Sequence, residues 1–194
     1  HLAHRRQRQM CIRDSNRKVY ISGDIVPEVD AKISIFDSAV LLGDTVTEST
    51  RTFNFKPFKL DEHLERLYKS FKLTRIDPQM TIEEMKKVSL ELLEINKDNY
   101  KANEDCWLVH NISRGHSITG GNPALQVSKP TVMIYTQPMN LVSWAPFYTK
   151  GCHAVTPPTR MVPAQSLDAR IKNRSRLFYT LAEIEAKLVD PDAQ

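Results

Sequence analysis

The sequence contains 194 residues, of which 41% are hydrophobic and 26% are charged, and its formal net charge is +4. This composition is typical of a globular protein and excludes a disordered or collagen-like chain. No run of about 18 apolar residues is present, so we predict neither a membrane-spanning helix nor a membrane partner. The N-terminal residues also lack the apolar core of a signal peptide. We therefore expect a cytoplasmic protein.

The positive charge is concentrated at the N-terminus. Residues 1–18 contain six of the 27 basic residues and one of the 23 acidic residues, so the remaining residues have a net charge of −1. A nucleic-acid-binding domain instead clusters basic and aromatic side chains on an ordered face. We therefore predict no nucleic-acid partner, and we interpret residues 1–16 as a disordered or non-native extension.

The three cysteines, Cys11, Cys106 and Cys152, are odd in number and far apart in the sequence. Their spacing does not match that of a metal site, and an odd number of thiols suits a reducing compartment. We predict no metal ion and assign the cysteines no catalytic role.

Short β-prone runs follow the extension. Two of them surround Gly23-Asp24, a pair that favours a tight hairpin turn, and alternation over residues 31–37 predicts a third strand. The stretch "TVTESTRTFNFKPFKL" predicts a longer hairpin whose turn lies near Asn54. "CWLVHNISRG" and "PTVMIYTQ" predict two further strands, because both combine β-branched, aromatic and alternating apolar residues.

Two amphipathic helices are predicted between these strands. Asp61 can cap the first helix, whose apolar residues recur at helical spacing. Thr81 and Glu84 form a capping box at the start of the second helix. The fold class is therefore α+β, with a small domain over residues 17–137. We interpret residues 138–150 as a connector and residues 151–194 as the beginning of a larger domain.

Three stretches of this sequence occur in the order found in a known family. They are "ISIFDSAVLLGDTVTESTRTFNFKPFKLDEHLERLYKS", "ISRG" and "ARIKNRSRLFYTLAEIEA". Together they resemble fold-type IV, or class IV, pyridoxal-phosphate enzymes, which include branched-chain and D-amino-acid transaminases and aminodeoxychorismate lyase. The resemblance covers residues 18–194. It implies pyridoxal 5'-phosphate as the cofactor, with a small N-terminal domain followed by a large cofactor-binding domain.

The resemblance assigns the catalytic role to Lys172, which stands where an extended run gives way to a predicted helix. In the family the matching lysine forms a Schiff base with the cofactor aldehyde and later carries a proton from the substrate. An amine can do this near neutral pH where desolvation or neighbouring cations lower its pKa. Arg170, Arg174 and Arg176 supply such cations nearby in the sequence.

Arg66, in "DEHLERL", matches the family arginine that binds the cofactor phosphate. A planar guanidinium can hold two phosphate oxygens at once. From composition alone, an exposed helix arginine paired with Glu62 is the alternative interpretation. His63 precedes Arg66 by three residues, and we interpret it as a packing residue because no nucleophile motif accompanies it.

Substrate contacts are predicted from the same resemblance. Arg114 matches a family arginine that binds the substrate carboxylate in the D-amino-acid branch; the alternative is a solvated arginine at a strand end. Glu48 matches an acidic residue of the pocket. Thr47 stands where the family usually has an aromatic residue, and its smaller side chain widens or polarises one wall of the pocket.

The resemblance implies transamination between an amino acid, branched-chain-like or D-configured, and a 2-oxo acid in a homodimer. Two alternatives remain: elimination of the aminodeoxychorismate lyase type, and a non-catalytic fragment of the fold. Family members are about half as long again as this chain and continue with a segment whose glutamate pairs with the pyridine nitrogen. We therefore expect a truncated gene product that is inactive alone.

We predict that deleting residues 1–15 leaves the thermal stability of the chain unchanged, because this segment contains no periodic apolar face. Melting temperatures of the full and shortened chains provide the measurement. A large decrease on deletion would show that the segment packs on the domain.

Overall fold

The computed structural model describes residues 16–101, 104–116, 129–139 and 141–194. These residues form two compact units. The first contains the described residues of His1–Met139 together with Ile171–Arg174, and the second contains those of Asn140–Arg170 together with Ser175–Gln194. The domain boundary expected at residue 137 stays a prediction. The return of residues 171–174 to the first unit was not predicted from the sequence.

The first unit is built on a six-stranded antiparallel sheet in the order β2-β1-β6-β5-β3-β4. The strands are β1 (Lys18–Ile21), β2 (Asp24–Pro27), β3 (Thr45–Phe53), β4 (Lys56–Pro57), β5 (Cys106–Ser113) and β6 (Thr131–Pro138). The long strands β3, β5 and β6 form the centre of the sheet. Their pairing confirms the strands predicted from "TVTESTRTF", "CWLVHNIS" and "PTVMIYTQ".

Both predicted hairpins are present. In the first, the turn is formed by Ser22 and Gly23, whose φ angles are 49° and 120°. The predicted turn at Gly23-Asp24 is therefore one residue late, because Asp24 already belongs to β2. In the second hairpin, Asn54 and Phe55 occupy the turn with φ angles of 49° and 61°, which confirms the predicted position.

The strand predicted over residues 31–37 is wrong. A short 3₁₀ turn covers Glu28–Asp30, and residues 31–37 lead without a strand into helix α1 (Ser38–Leu42). Asp37 ends the extended region because its side chain accepts a hydrogen bond from Ala39 N at 2.8 Å and caps α1. Alternation in this stretch does not reflect burial, since Ile35 is 71% exposed.

Two long helices, α2 (Leu60–Thr74) and α3 (Ile82–Asn96), cover one face of the sheet. Helix α2 begins at Leu60 after Lys59, which is in the left-handed region, so Asp61 lies in the first turn and is not the predicted cap. The capping box of α3 is confirmed. Glu84 N donates to Thr81 Oγ1 at 3.2 Å, and Thr81 N donates to Glu84 Oε2 at 2.7 Å.

The core lies between the two long helices and the sheet. The helices contribute apolar residues at helical spacing, and the central strands β3 and β5 are buried over most of their length. The largest fully buried apolar side chains are Leu64, Leu67, Met85, Leu92, Leu108, Ile112 and Ile134.

The second unit contains three helices, α4 (Leu141–Trp144), α5 (Phe147–Lys150) and α6 (Leu177–Val189). Helix α6 confirms the helix predicted after Lys172. Its apolar residues Leu181, Ile184 and Leu188 are 46%, 53% and 81% exposed. Among the helices that the structure describes, none has the length and apolarity needed to span a bilayer.

The side chain of Asn96 completes the pairing of β1. Strand β6 pairs with Tyr20 and Ile21, and Lys18 lies beyond this pairing. Asn96 is fully buried, accepts a hydrogen bond from Lys18 N at 2.7 Å and donates one to Lys18 O at 2.9 Å. The amide thereby substitutes for a strand neighbour.

We predict that Asn96→Ala lowers the free energy of unfolding by about 2–3 kcal/mol, because it removes two hydrogen bonds from a buried strand end. Urea denaturation provides the measurement. The matched variant Asn99→Ala, at an exposed position just beyond α3, should change stability by less than about 0.5 kcal/mol. Equal effects of the two substitutions would contradict this role of Asn96.

Candidate functional site

An ion pair between Glu48 and Arg66 links β3 to α2. Arg66 Nε donates to Glu48 Oε2 at 2.7 Å, and Arg66 Nη2 donates to Glu48 Oε1 at 2.6 Å. The two parallel hydrogen bonds fix the plane of the guanidinium as well as its position. The Glu48 side chain is 0% exposed, whereas the Arg66 side chain is 52% exposed. The pair therefore holds a solvent-facing guanidinium on a buried carboxylate.

Sequence patterns explain this placement. Glu48 follows Val46 by two residues in β3, so both side chains point to the sheet face that α2 covers. Arg66 lies between the buried residues Leu64 and Leu67 on α2 and projects beside this apolar stripe. The alternative pairing of Arg66 with Glu62 does not occur; Glu62 instead contacts Lys59 at 3.5 Å.

Glu48 stays ionised despite its burial. Burial alone raises the pKa of this carboxyl and is the largest single effect on it. Hydrogen bonds from Arg66, from Ser49 N and from His63 oppose burial and together hold the pKa of Glu48 below its ordinary value. The same ion pair raises the pKa of Arg66. The site therefore contains a permanent pair of charges.

His63 is a third member of this cluster. Its Nδ1 lies 3.1 Å from Glu48 Oε1 and 3.3 Å from Arg66 Nη2. Because Nδ1 cannot both donate to the carboxylate and accept from the guanidinium, the shorter contact favours Nδ1–H donating to Glu48. His63 then supports the charge of the carboxylate and is more than the packing residue we predicted.

A buried histidine lies beside Glu48 in the sheet. His110 of β5 is paired in register with Glu48, and its Nε2 lies 2.8 Å from Ser89 Oγ. Ser89 donates its own proton to Met85 O at 2.7 Å, so Ser89 Oγ accepts from His110 Nε2–H. Burial lowers the pKa of His110 to about 4. His110 is therefore a neutral ring at physiological pH.

Lys172 belongs to a short segment that extends the sheet along the outer edge of β3. Thr47 N donates to Lys172 O at 2.8 Å, and Arg174 N donates to Thr45 O at 2.9 Å, which creates an antiparallel bridge between Val46 and Asn173. Strand β4 occupies the same edge farther along, at Thr52 and Phe53. The segment thus fills the part of the edge that β4 leaves open.

The register of this bridge places Lys172 opposite Thr47. Successive residues of a strand point to opposite faces, so Thr47 faces away from the helix side on which Glu48 lies. Thr47 is 1% exposed, and its hydroxyl donates to His110 O at 3.0 Å. The structure therefore places the Lys172 backbone against Thr47 and pairs Arg66 with Glu48, so four of the five residues that the sequence assigned to the site lie at or against residues 47 and 48 of β3.

Arg114 lies at the end of β5 and forms a separate cluster. Its Nε and Nη2 donate to the Asp44 carboxylate at 2.7 and 3.3 Å. Nη2 also donates to Thr74 O at 3.0 Å, and Nη1 donates to Arg75 O at 2.9 Å. This guanidinium connects the start of β3 to the C-terminal end of α2. Its predicted contact with a substrate carboxylate stays a prediction.

Two of the three arginines near Lys172 in the sequence have side-chain partners of their own. In the second unit, Arg170 Nη2 pairs with Asp168 Oδ2 at 2.6 Å, and Arg176 lies 4.7 Å from the centre of the Tyr179 ring. Arg174, in the first unit, is exposed.

Candidate metal ligands occur together in the second unit. The ligand atoms of His153, Asp190 and Asp192 lie within 4.8 Å of one another. His153 Nδ1 and Asp190 Oδ2 are 2.8 Å apart at the surface. Exposed acidic groups of this kind are common without a metal ion, and we assign this group no function.

The sequence did not point to His63, Ser70 or His110 as parts of the cluster around Glu48 and Lys172. Ser70 Oγ accepts a hydrogen bond from Lys172 N at 3.3 Å. Ser70 stands four residues after Arg66 and His63 three residues before it, so helical spacing was the available signal. His110 occupies a core position of β5, and a polar residue among apolar ones is the sequence feature that could have indicated its role.

These features define a class of protein: an antiparallel α+β domain in which one strand pairs with a lysine-bearing segment and holds an arginine of the neighbouring helix through a buried glutamate. Residues 45–193 match the family Amino-transferase class IV, and the chain belongs to this family. It is 35% identical to the "Putative branched-chain-amino-acid aminotransferase" of Methanocaldococcus jannaschii over 175 residues, which cover 90% of this chain and 57% of that protein. It is 32% identical to the D-alanine aminotransferase of Staphylococcus epidermidis over 120 residues, which cover 62% of this chain and 41% of that protein.

The fold agrees with solved structures. The branched-chain amino acid aminotransferase of T.th., complexed with N-(5'-phosphopyridoxyl)-L-glutamate, superposes with a TM-score of 0.75 at 24% identity. The match covers 91% of this chain and 56% of that one. The predicted fold-type IV architecture is thereby confirmed. The chain spans 57% of the length of the Methanocaldococcus jannaschii relative and 56% of the solved structure.

The depressed pKa of His110 predicts a loss of stability in mild acid. The unfolded chain binds a proton on this ring as the pH falls below 6.5, whereas the folded chain does so only near pH 4. The free energy of unfolding is therefore unaffected by this ring above pH 6.5. It falls by roughly 2–3 kcal/mol between pH 6.5 and about 4. Urea denaturation at pH 7 and pH 4.5 provides the measurement.

His110→Gln should remove most of this pH dependence, whatever its effect on stability at pH 7. His116→Gln, which changes an exposed ring, should retain it. If the free energy of unfolding falls equally from pH 7 to pH 4.5 in His110→Gln and in the unchanged protein, other groups cause the acid sensitivity. Glu48 also makes the folded chain less stable in acid. Because its pKa is lowered in the folded chain, its contribution to the free energy of unfolding is lost as the pH falls below the ordinary carboxyl pKa of 4.5.

Proposed function

We propose that this chain is the cofactor-binding part of a pyridoxal-phosphate-dependent aminotransferase. The observation that carries the proposal is that Arg66, fixed by Glu48, and Lys172, bridged to Thr47, are held by consecutive residues of one strand. The family membership and the solved relative with a bound phosphopyridoxyl group support it. Because the chain spans little more than half the length of its relatives, the activity of the whole protein is part of the proposal.

The residues present suit a phosphate-bearing cofactor. Two N–H groups of Arg66 are used by Glu48, and Nη1 makes no hydrogen bond to any described residue. A half-exposed guanidinium with a fixed plane can therefore offer two further donors to a phosphate. Glu48 is too deeply buried to reach solvent, so we assign it to holding Arg66. Its predicted contact with the substrate stays a prediction.

Lys172 supplies the amine of the proposed site. Pyridoxal phosphate, when bound, supplies an aldehyde that reacts with amines and a ring that withdraws electrons from the adjacent carbon. The backbone carbonyl of Lys172 is held by Thr47 N, so the start of its side chain has a fixed position on the sheet. From there Nζ can carry the cofactor and transfer a proton to or from the substrate carbon.

The amino donor is proposed from the relatives. The relatives are named for branched-chain amino acids and for D-alanine, so an amino acid paired with a 2-oxo acid is the common class. Thr47 is a small polar side chain whose hydroxyl is occupied by His110 O. Because Thr47 is only 1% exposed, its predicted place in a wall of the substrate pocket stays a prediction.

A homodimer is also part of the proposal. Ile35, Phe36 and Leu42, around α1, are 71%, 54% and 60% exposed. Large apolar side chains exposed next to one another are typical of a surface that another chain covers. A second copy of this chain is the occupant that we propose, since closed homodimers are the commonest assemblies.

Borohydride trapping tests the proposed cofactor site. The 194-residue chain is incubated with pyridoxal 5'-phosphate and reduced, and the labelled peptides are identified by mass spectrometry. We expect label on Lys172, and Lys172→Ala should abolish it. Arg66→Ala should keep the label at saturating cofactor but weaken cofactor affinity by about 2–3 kcal/mol, the cost of losing one side of a charge-assisted pair.

Lys69→Ala is the matched control, because Lys69 lies on α2 one turn after Arg66 and is exposed. It should change neither the label nor the affinity. Label on a different lysine, or none at all, would overturn the assignment. In a whole protein that includes this chain, release of pyruvate from aminodeoxychorismate without amino transfer to a 2-oxo acid would identify a lyase instead.

A further inference from the structure

Ser70 lies between the two groups of the proposed cofactor site. It stands on α2 one turn after Arg66, and its side chain is fully buried. Its hydroxyl donates to Arg66 O at 3.2 Å. The same oxygen accepts a hydrogen bond from Lys172 N at 3.3 Å. One small side chain thus touches both the helical turn that carries the guanidinium and the backbone that carries the amine.

The hydroxyl uses its donor and its acceptor in fixed directions. Its proton goes to the helix carbonyl, so its lone pair faces the Lys172 N–H. On the other side of this residue, Lys172 O accepts from Thr47 N at 2.8 Å. Lys172 is therefore held on both sides of its Cα, by the helix through Ser70 and by the strand through Thr47.

A single cofactor that bonds to Lys172 and binds Arg66 through its phosphate has a fixed distance between these two points. The protein must match that distance, because a reacting group displaced by about 1 Å loses much of its reactivity. Arg66 is fixed by Glu48 in α2 and β3, whereas Lys172 lies on an irregular segment outside the named strands. The Ser70 contact is a direct hydrogen bond between this segment and the turn that carries Arg66.

We propose that Ser70 is a positioning residue that sets the place of Lys172 relative to Arg66. This inference rests on the proposed function, since it concerns the same cofactor site. Ser70→Ala removes the hydroxyl and leaves the Lys172 N–H without this acceptor. The Lys172 segment then keeps its contacts with β3, and Arg66 keeps its ion pair with Glu48. The substitution therefore disturbs the position of the amine and leaves the guanidinium in place.

Ser89 offers a matched control. It is also a fully buried helix serine, and its hydroxyl donates to the carbonyl four residues earlier, Met85 O, at 2.7 Å. Its second contact is with His110 and not with Lys172. Ser89→Ala therefore imposes a similar packing and hydrogen-bond loss in α3 without altering the Lys172 segment.

The test measures the two ends of the cofactor site separately in the 194-residue chain. Borohydride delivers hydride to the carbon–nitrogen double bond that the lysine amine forms with the aldehyde, with loss of water, and the stable secondary amine is counted by mass spectrometry. Pyridoxamine 5'-phosphate has the phosphate but no aldehyde, so its affinity, measured by fluorescence titration, reports the Arg66 end. Melting temperatures are recorded for each variant.

With Ser70→Ala we expect the label on Lys172 at a fixed, subsaturating cofactor concentration to fall about five- to tenfold, the size expected for one buried hydrogen bond. The affinity for pyridoxamine 5'-phosphate should change less than about twofold, and Ser89→Ala should change the label less than about twofold. Unchanged label in Ser70→Ala, or equal losses in both serine variants, would overturn the inference. Absence of label on Lys172 in the unchanged chain would instead overturn the proposed function.

Discussion

The buried carboxylate of Glu48 is the constraint on which this site depends. An ionised group without exposure must receive hydrogen bonds from its neighbours, and Glu48 receives them from Arg66, His63 and Ser49 N. Each donor is thereby fixed relative to β3. A half-exposed arginine on a helix surface would otherwise sample many rotamers, and the carboxylate removes this freedom before any ligand arrives.

The same strand serves both ends of the proposed cofactor site because its two faces and its outer edge have different neighbours. Glu48 points toward the helices, Thr47 toward the opposite face, and the backbone of residues 45–47 pairs with the Lys172 segment. Successive residues of a strand differ in direction but share one rigid backbone. The amine and the guanidinium are therefore fixed relative to each other although 106 positions separate Arg66 from Lys172 in the chain.

Sequence reasoning succeeded where the signal was local and repeated. The capping box at Thr81, the turn at Asn54 and the helix after Lys172 each follow from a few adjacent residues. It failed over residues 31–37, because alternation there is unrelated to burial and Asp37 starts a helix instead. The partner of Arg66 could not be predicted either. Glu62 lies one turn away and Glu48 eighteen residues away, and only the strand register shows which of them faces the guanidinium.

Lys172 lies on an irregular segment of turns and bends ahead of helix α6, and this position leaves its backbone groups available to neighbours. Inside a helix, its N–H and C=O would be committed to residues four positions away, and the amine would move with the helix as a body. At the edge of β3, its C=O is instead held by Thr47 and its N–H by the Ser70 hydroxyl. Both contacts come from elements that also hold Arg66. The irregular position of the lysine thus ties it directly to the residues that fix the guanidinium.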